Sequence, residues 1–388
     1  MSQPFPIDTE ELVSWRRHLH RNPELSFREF ATADYIENLL TGWGINCSRP
    51  TPTSVVGVIE GAGDGPTIGY RGDIDALPLA EETGLDFASE NHGVMHACGH
   101  DVHTAMLLQT AKILQGMRDQ LHGTVLCIFQ HAEEMLPGGA RELVAKGVAD
   151  TLDEVYAFHV APHPVGHVGI CPGRVSTKSG IVNIRINGRG GHSSNPQLAV
   201  DPVLIAAEST LMLNTIVSRS LDPRSMNIVN VGVLQAGKAG NVIPQNASLE
   251  VSVRSVVDED WDRIVERIEE IVNGVCAAHG AQAEFDWQIP YPMVVNEEPA
   301  VQRAWNAAIA VLGEDMVFQA DPWAPSDDFA YFAQKAPGCY MFLGGGGPEV
   351  GNPYFLHNSR YDVVEEAMVS GVAVEVQIAL DALAPRAK

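Results

Sequence analysis

The chain has 388 residues, with 25 Lys and Arg against 49 Asp and Glu and a formal net charge of −24. That length suits two or three domains around a substantial core, and 45% hydrophobic with 19% charged residues argues against disorder. So acidic a surface repels phosphate backbones and anionic lipid, which argues against nucleic acid or a membrane surface as partner. The start, MSQPFPIDTEELVSWRRHLH, shows no apolar run behind a basic end. No stretch approaches the ~20 apolar residues of a membrane span, and the six cysteines have no paired spacing. The expectation is a cytoplasmic protein.

Asp8 and Glu11 stand at capping-box spacing before a first helix through His18 and His20. Ser26 and Glu29 repeat that signal before a second helix ending near Gly42. Strands at 55–60 and 67–71, a helix over about 102–115, a strand at 124–130, a helix near 140–146 and a strand at 155–160 then follow. That alternation predicts an α/β layer with a largely parallel sheet, in which sites form at the carboxyl edge of the strands. Near residue 180 the rhythm changes. A strand at 181–188, a helix from Asp201-Pro202 to about 217, strands at 226–235 and 247–255, a helix over about 259–279 and a strand at 283–289 come next. The order β-α-β-β-α-β is a split ferredoxin-like unit. After Tyr291-Pro292 the α/β pattern resumes, with helices near 298–312 and 327–334, a strand at 339–345 and a terminal helix from about 364. The reading is one α/β domain with a ferredoxin-like module inserted into it.

The segment His96-Ala97-Cys98-Gly99-His100-Asp101-Val102-His103 puts four His and Cys side chains within eight residues. Thiolate and imidazole are good ligands for borderline divalent metals. Any one of these histidines, taken alone, reads as a surface or satisfied core residue. Gln130-His131-Ala132-Glu133-Glu134 directly follows the apolar strand at 124–130. At a strand end, one carboxylate can bind a metal while its neighbour serves as general base. The alternative is a charged pair opening the next helix. His159 and His357 also close apolar runs. With Cys98, His100 and Glu134 they make five side chains, enough for a two-metal site with one shared ligand.

These motifs, with Arg71-Gly72-Asp73-Ile74-Asp75-Ala76-Leu77-Pro78, Leu356-His357-Asn358-Ser359-Arg360-Tyr361-Asp362 and the segment RRHLHRNPELSFRE at 16–29, resemble the M20 metallopeptidase/amidohydrolase family. Within it they are similar to the branch of hippurate hydrolases, N-acyl-amino-acid amidohydrolases and indole-acetyl-amino-acid hydrolases. The resemblance implies a zinc-peptidase-like α/β catalytic domain with a mixed sheet over 1–179 and 292–388. It implies an inserted ferredoxin-like α+β dimerisation and lid domain over 180–291, and a homodimer or higher homo-oligomer. The implied activity is cleavage of the amide bond of N-acyl or N-aroyl amino acids, small-molecule substrates, by water activated by two divalent ions (Zn, Mn, Co or Ni). Alternatives are a dipeptidase or carboxypeptidase, a deacetylase acting on N-acetyl-diaminopimelate, or a non-catalytic amino-acid-binding relative.

By the same resemblance Cys98 bridges the metals, His100 and His159 bind one, Glu134 and His357 bind the other, and Glu133 is the general base. Arg71 stands where other branches carry the histidine of a His-x-Asp motif. A guanidinium that stays protonated cannot be a ligand, so His100 takes that place. Asp73 then orients a ligand imidazole from behind, a turn cap being the alternative for Asp73 and Asp75. His192, in Gly190-Gly191-His192-Ser193-Ser194, resembles the histidine that reaches the partner subunit's active site and stabilises the tetrahedral oxyanion. Asn241 resembles a lid residue that contacts substrate. Arg254 meets the substrate carboxylate in a bidentate pair, or else is a strand arginine facing solvent. Ser326-Asp327-Asp328-Phe329 stands where relatives often have Ser-Glu-Asp-Phe.

Overall fold

The structure is a computed structural model and describes residues 5–350 and 353–385. Helix α1 (Thr9–Arg21) begins where the Asp8 carboxylate accepts the Glu11 N–H at 3.0 Å. Helix α2 (Phe30–Gly42) is capped differently from the expectation. Glu24, not Ser26, accepts the N–H groups of Ala31 and Thr32, at 3.2 and 2.8 Å. Next come β1 (Asn46–Ser48), β2 (Val55–Glu60), β3 (Gly63–Asp73), α3 (His100–Gly116), β4 (His122–Gln130), α4 (Gly139–Ala145), β5 (Glu154–Ala161), β6 (Val168–Ile170) and β7 (Gly173–Arg174).

A second run follows: β8 (Lys178–Asn187), β9 (Gly191–His192), α5 (Pro202–Leu213), α6 (Ile216–Ser220), β10 (Asn227–Ala236), β11 (Val242–Ile243), β12 (Asn246–Ser255), α7 (Asp258–His279) and β13 (Gln282–Trp287). The chain ends with β14 (Val295–Asn296), α8 (Glu298–Leu312), β15 (Val317–Gln319), α9 (Ala330–Ala333), β16 (Gly338–Gly344) and α10 (Ala367–Ala382). It divides into two units. One comprises Met1–Val175, Val294–Pro322 and Asp327–Lys388, the other Ser176–Met293 and Trp323–Ser326.

The first unit holds an eight-stranded sheet in the order β1-β2-β4-β3-β5-β16-β6-β15. The sheet is mixed: β4, β3, β5 and β16 run parallel, β1 and β2 pair antiparallel to their neighbours, and β6 pairs antiparallel to β16 but parallel to β15. Its central strands are apolar on both faces, so β16 is buried along its whole length and β4 from Val125 to Gln130. The second unit holds an antiparallel sheet in the order β10-β12-β8-β13. One face carries Val182, Ile184 and Ile186 of β8 and Leu249, Val251 and Val253 of β12 against Ile264, Ile268 and Val272 of α7. The alternation of buried and open positions in β12 follows from the two-residue repeat of a strand covered on one side.

Candidate metal centre

Strands β4, β3 and β5 are adjacent and parallel, so their carboxyl ends emerge on one edge. Asp73 closes β3, Gln130 closes β4, and His159 lies near the end of β5. Cys98 precedes α3, and Gly99 caps it with φ +87°. A Cβ on Gly99 would lie 2.3 Å from Val160 Cγ2, so only glycine fits between Cys98 and His100. His357, at φ +64°, donates its backbone N–H to Ala97 O at 2.8 Å. That bond ties the last of these segments to the one carrying Cys98.

Donor atoms of Cys98, His100 and His159 lie within 4.8 Å of one another, and so do those of Cys98, Glu134 and His357. Hydrogen bonds fix which ring nitrogens are available. His100 Nδ1 lies 2.9 Å from Asp75 O and 3.2 Å from Asp75 Oδ1, so it carries a proton, and Nε2 is the nitrogen a metal would take. His159 Nδ1 donates to Val160 O at 2.7 Å, and its Nε2 is 3.5 Å from Cys98 Sγ. His103 is different. Its Nδ1 donates to Asp73 Oδ1 at 2.6 Å while its Nε2 accepts the Val160 N–H at 3.0 Å. Neither nitrogen has a lone pair to spare, so His103 supports the donor set without belonging to it.

The donor set fits divalent cations on its own terms. His100 Nε2 and Glu134 Oε1 are buried without a hydrogen-bond partner, although Glu134 Oε1 lies 3.2 Å from His357 Nε2. An unpaired buried polar atom costs about 1–3 kcal/mol. Imidazole, thiolate and carboxylate around such atoms suit a borderline metal ion. Charge points the same way. Burial, with the carboxylates of Glu134, Glu133 and Asp73 nearby, pushes the Cys98 thiol well above its usual range. A cation here would reverse that and hold the thiolate.

Arg71 is fully buried and does not join the donors. Its guanidinium bonds Asp73 at 2.6 Å, Gln130 Oε1 at 2.7 Å and Asp328 at 2.8 Å, with Asp327 at 3.1 Å. Asp73 therefore hydrogen-bonds Arg71 and His103, and its Oδ2 lies 3.6 Å from His100 Nε2. The carboxylate behind His100 is Asp75. Glu133 is 7% exposed. Burial, then Asp327, Glu134 and Asp328, push its carboxyl well above the usual range. Asp328 is pushed up to about 7 by burial and by Asp327, against the pull of Arg71.

His192, Asn241 and Arg254 belong to the second unit, whereas the five donors and Glu133 belong to the first. His192 Nδ1 accepts the Ser194 N–H at 3.2 Å and lies 2.8 Å from Ser194 Oγ, which leaves Nε2 to carry the proton. Asn241 is exposed beside β11. Arg254, on β12, is partly buried and donates to Ala324 O at 3.3 Å. No carboxylate pairs with it among the described residues, and burial lowers its pKa.

Several buried residues had no role at the site in the sequence reading. Arg16 Nε and His20 Nδ1 each lie 2.8 Å from Asp101 Oδ2, next to His100. Glu29 Oε1 accepts the Ala132 N–H at 2.8 Å, next to Glu133. The available signal was that Arg16 and His20 share one face of α1 with Leu12, Trp15 and Leu19. Polar side chains on an apolar helix face need buried partners.

Residues 69–381 match the model of peptidase family M20/M25/M40. An N-acyl-L-amino acid amidohydrolase of Geobacillus stearothermophilus is 44% identical over 289 residues, 74% of this chain and 78% of the relative. An N-acetylcysteine deacetylase of Bacillus subtilis is 37% identical over 360 residues, 92% of this chain and 93% of the relative. Among solved structures, a dinuclear metal-binding peptidase of the M20 family from Bacillus subtilis superposes with a TM-score of 0.81 at 33% identity, covering 97% of this chain and 98% of that one. Donors shared through one cysteine, on a sheet of this order and with these relatives, have one common explanation: the chain belongs to peptidase family M20/M25/M40 and is a metal-dependent hydrolase of amide bonds.

Proposed function

We propose that the protein hydrolyses the amide bond of N-acyl or N-aroyl amino acids, releasing a carboxylate and a free amino acid. The observation that carries this reading is the pair of three-donor groups meeting at Cys98 beside the buried Glu133. In this reading Cys98, His100 and His159 hold one divalent ion, and Cys98, Glu134 and His357 the other. Two such ions supply Lewis acidity toward the amide carbonyl and lower the pKa of water toward neutrality.

The remaining work falls to side chains. Glu133 takes a proton from the attacking water and returns one to the leaving amine nitrogen. The Arg71 cluster keeps the floor beneath Glu133 rigid. His192, protonated on Nε2, donates to the carbonyl oxygen as it gains charge. Arg254, which has no acid partner among the described residues, pairs with the substrate carboxylate, and Asn241 contacts the substrate. The second unit serves as lid and dimerisation domain, and His192 acts in the site of the partner subunit.

The test is a hydrolysis screen with metal-free protein reloaded with Zn, Mn, Co or Ni. Hippurate, N-acetyl amino acids and dipeptides form the substrate panel. Hydrolysis of the N-acyl amino acids ahead of the dipeptides supports the reading, and the reverse order overturns it in favour of a dipeptidase. Glu133→Gln should lower kcat by about 10²–10⁴-fold, the usual worth of a general base, with metal content intact. Wild-type turnover in that variant removes Glu133 from the mechanism.

A further inference from the structure

The turn that delivers Glu133 from the end of β4 passes through Ala132, which is fully buried and held at φ +51°. That is the left-handed region, which glycine occupies freely and alanine avoids. Both sides of the residue are tied. Its C=O accepts the Gly139 N–H at 3.0 Å. Its N–H is accepted at 2.8 Å by Glu29 Oε1, from 103 positions away at the start of α2. Glu29 is fully buried, and its Oε2 has no hydrogen-bond partner. Burial, then Asp75, push its pKa up to about 8. Sinking such a group is costly, and the contact it makes across the chain is this one N–H. Glu134 is anchored separately, by its own N–H to Asp75 Oδ2 at 3.0 Å.

We infer that Glu29 is a positioning residue for the general base: it holds the strained Ala132 peptide and thereby aims the Glu133 carboxylate. The inference rests on the role of Glu133 proposed above. Without an acceptor at position 29, Ala132 relaxes toward negative φ and Glu133 swings away from the water it deprotonates. A misplacement of about 1 Å at a reacting group costs roughly 100-fold in rate. Glu134 keeps its own anchor, so the loss falls on proton transfer and not on metal binding.

The experiment makes two measurements on the full chain. The first is steady-state hydrolysis of the best-cleaved substrate of the panel above by protein reloaded with zinc. Glu29→Leu should lower kcat about 100-fold, with KM and zinc content little changed. Glu29→Gln still offers an Oε1 acceptor and should stay within a few-fold of wild type. In the Glu133→Gln background Glu29→Leu should cost nothing further, because a residue that acts through Glu133 has nothing left to position. In the Ala132→Gly background its cost should shrink to a few-fold, because glycine holds a positive φ unaided. The second measurement is amide hydrogen exchange of the metal-free protein. Residues 131–134 should exchange about tenfold faster in Glu29→Leu, the worth of one lost hydrogen bond, and at the wild-type rate in Glu29→Gln. A full penalty in either background, or unchanged exchange, overturns the inference and leaves Glu29 a packing residue. Should Glu29→Leu fail to fold, Glu29→Asp, whose carboxylate stops about 1.5 Å short, decides by the same criteria. A wild type inert toward the panel, or wild-type turnover in Glu133→Gln, overturns the reading of Glu133 as base, and the inference with it.

Discussion

Cys98 is common to both proposed metal groups, so substitutions there separate a shared ligand from two independent sites. Cys98→Ala should weaken both ions together, on the order of 100-fold each, whereas His159→Asn or His357→Asn should weaken one. Cys98→Asp should keep both ions, because a carboxylate also bridges, and should shift preference from zinc toward the harder manganese. Metal analysis after dialysis against mixed ions reads both effects. A Cys98→Ala protein that keeps one ion at wild-type affinity would rule out bridging. At this scale much of the proposed site was legible, because Cys98, His100, Glu133 and Glu134 sit in dense local motifs. What was not legible is long-range. Arg71 meets Asp328, 257 positions away, and Asp75 meets Ser26, 49 positions away. No local spacing announces such pairs. The choice between Asp73 and Asp75 as the carboxylate behind His100 depends on where each points at the end of β3.

Periodicity placed the helices and strands well where an apolar face faces one layer, as in α7 and β12. It failed where side chains that favour caps were needed elsewhere. Ser26 and Glu29 have capping spacing, but their side chains brace Asp75 and the Ala132 N–H. A buried acid within α10 makes a separate prediction. Glu375 is 3% exposed, with the Thr110 hydroxyl of α3 donating to it at 2.6 Å. Burial pushes its pKa from 4.5 up to about 8, with the Thr110 bond partly opposing. The folded state then holds a proton that the unfolded chain releases at lower pH. This contribution to stability is fully present below pH 4.5, declines as pH rises toward 8, and is gone above it. Glu375→Gln stays neutral throughout. Its melting temperature should match wild type near pH 5 and exceed it by a few degrees at pH 9. Thermal unfolding of both proteins at the two pH values checks this, and a constant offset would show that Glu375 is not the titrating group.

The whole molecule carries −24, and that field opposes both the anionic substrates and the association of two copies proposed above. Local design must overcome it. In the second unit, edge strand β13 carries Glu284 and Asp286, the charges by which a sheet edge avoids pairing. The other edge, β10, reads Asn-Ile-Val-Asn-Val-Gly-Val-Leu-Gln-Ala and has no charge along its length. Ile228 and Leu234 on it are 39% and 44% exposed, and Leu211 of the neighbouring α5 is 74% exposed. An uncharged ten-residue edge on so acidic a chain suits antiparallel pairing with a second copy about a two-fold axis. Ile228→Lys with Leu234→Lys should convert a dimer to a monomer in sedimentation experiments, and Glu284→Lys on the opposite edge should not. Salt should strengthen the proposed dimer by screening its self-repulsion. The proposed role of His192 makes the dimer matter for turnover. Glu133→Gln and His192→Ala subunits are each inactive in this reading. Mixed in equal amounts and allowed to exchange, they should recover about a quarter of wild-type sites, because half the dimers are mixed and one of their two sites is intact. Without recovery in a mixture shown to contain mixed dimers, His192 does not act across the dimer, and its Nε2–H must serve its own subunit or another purpose.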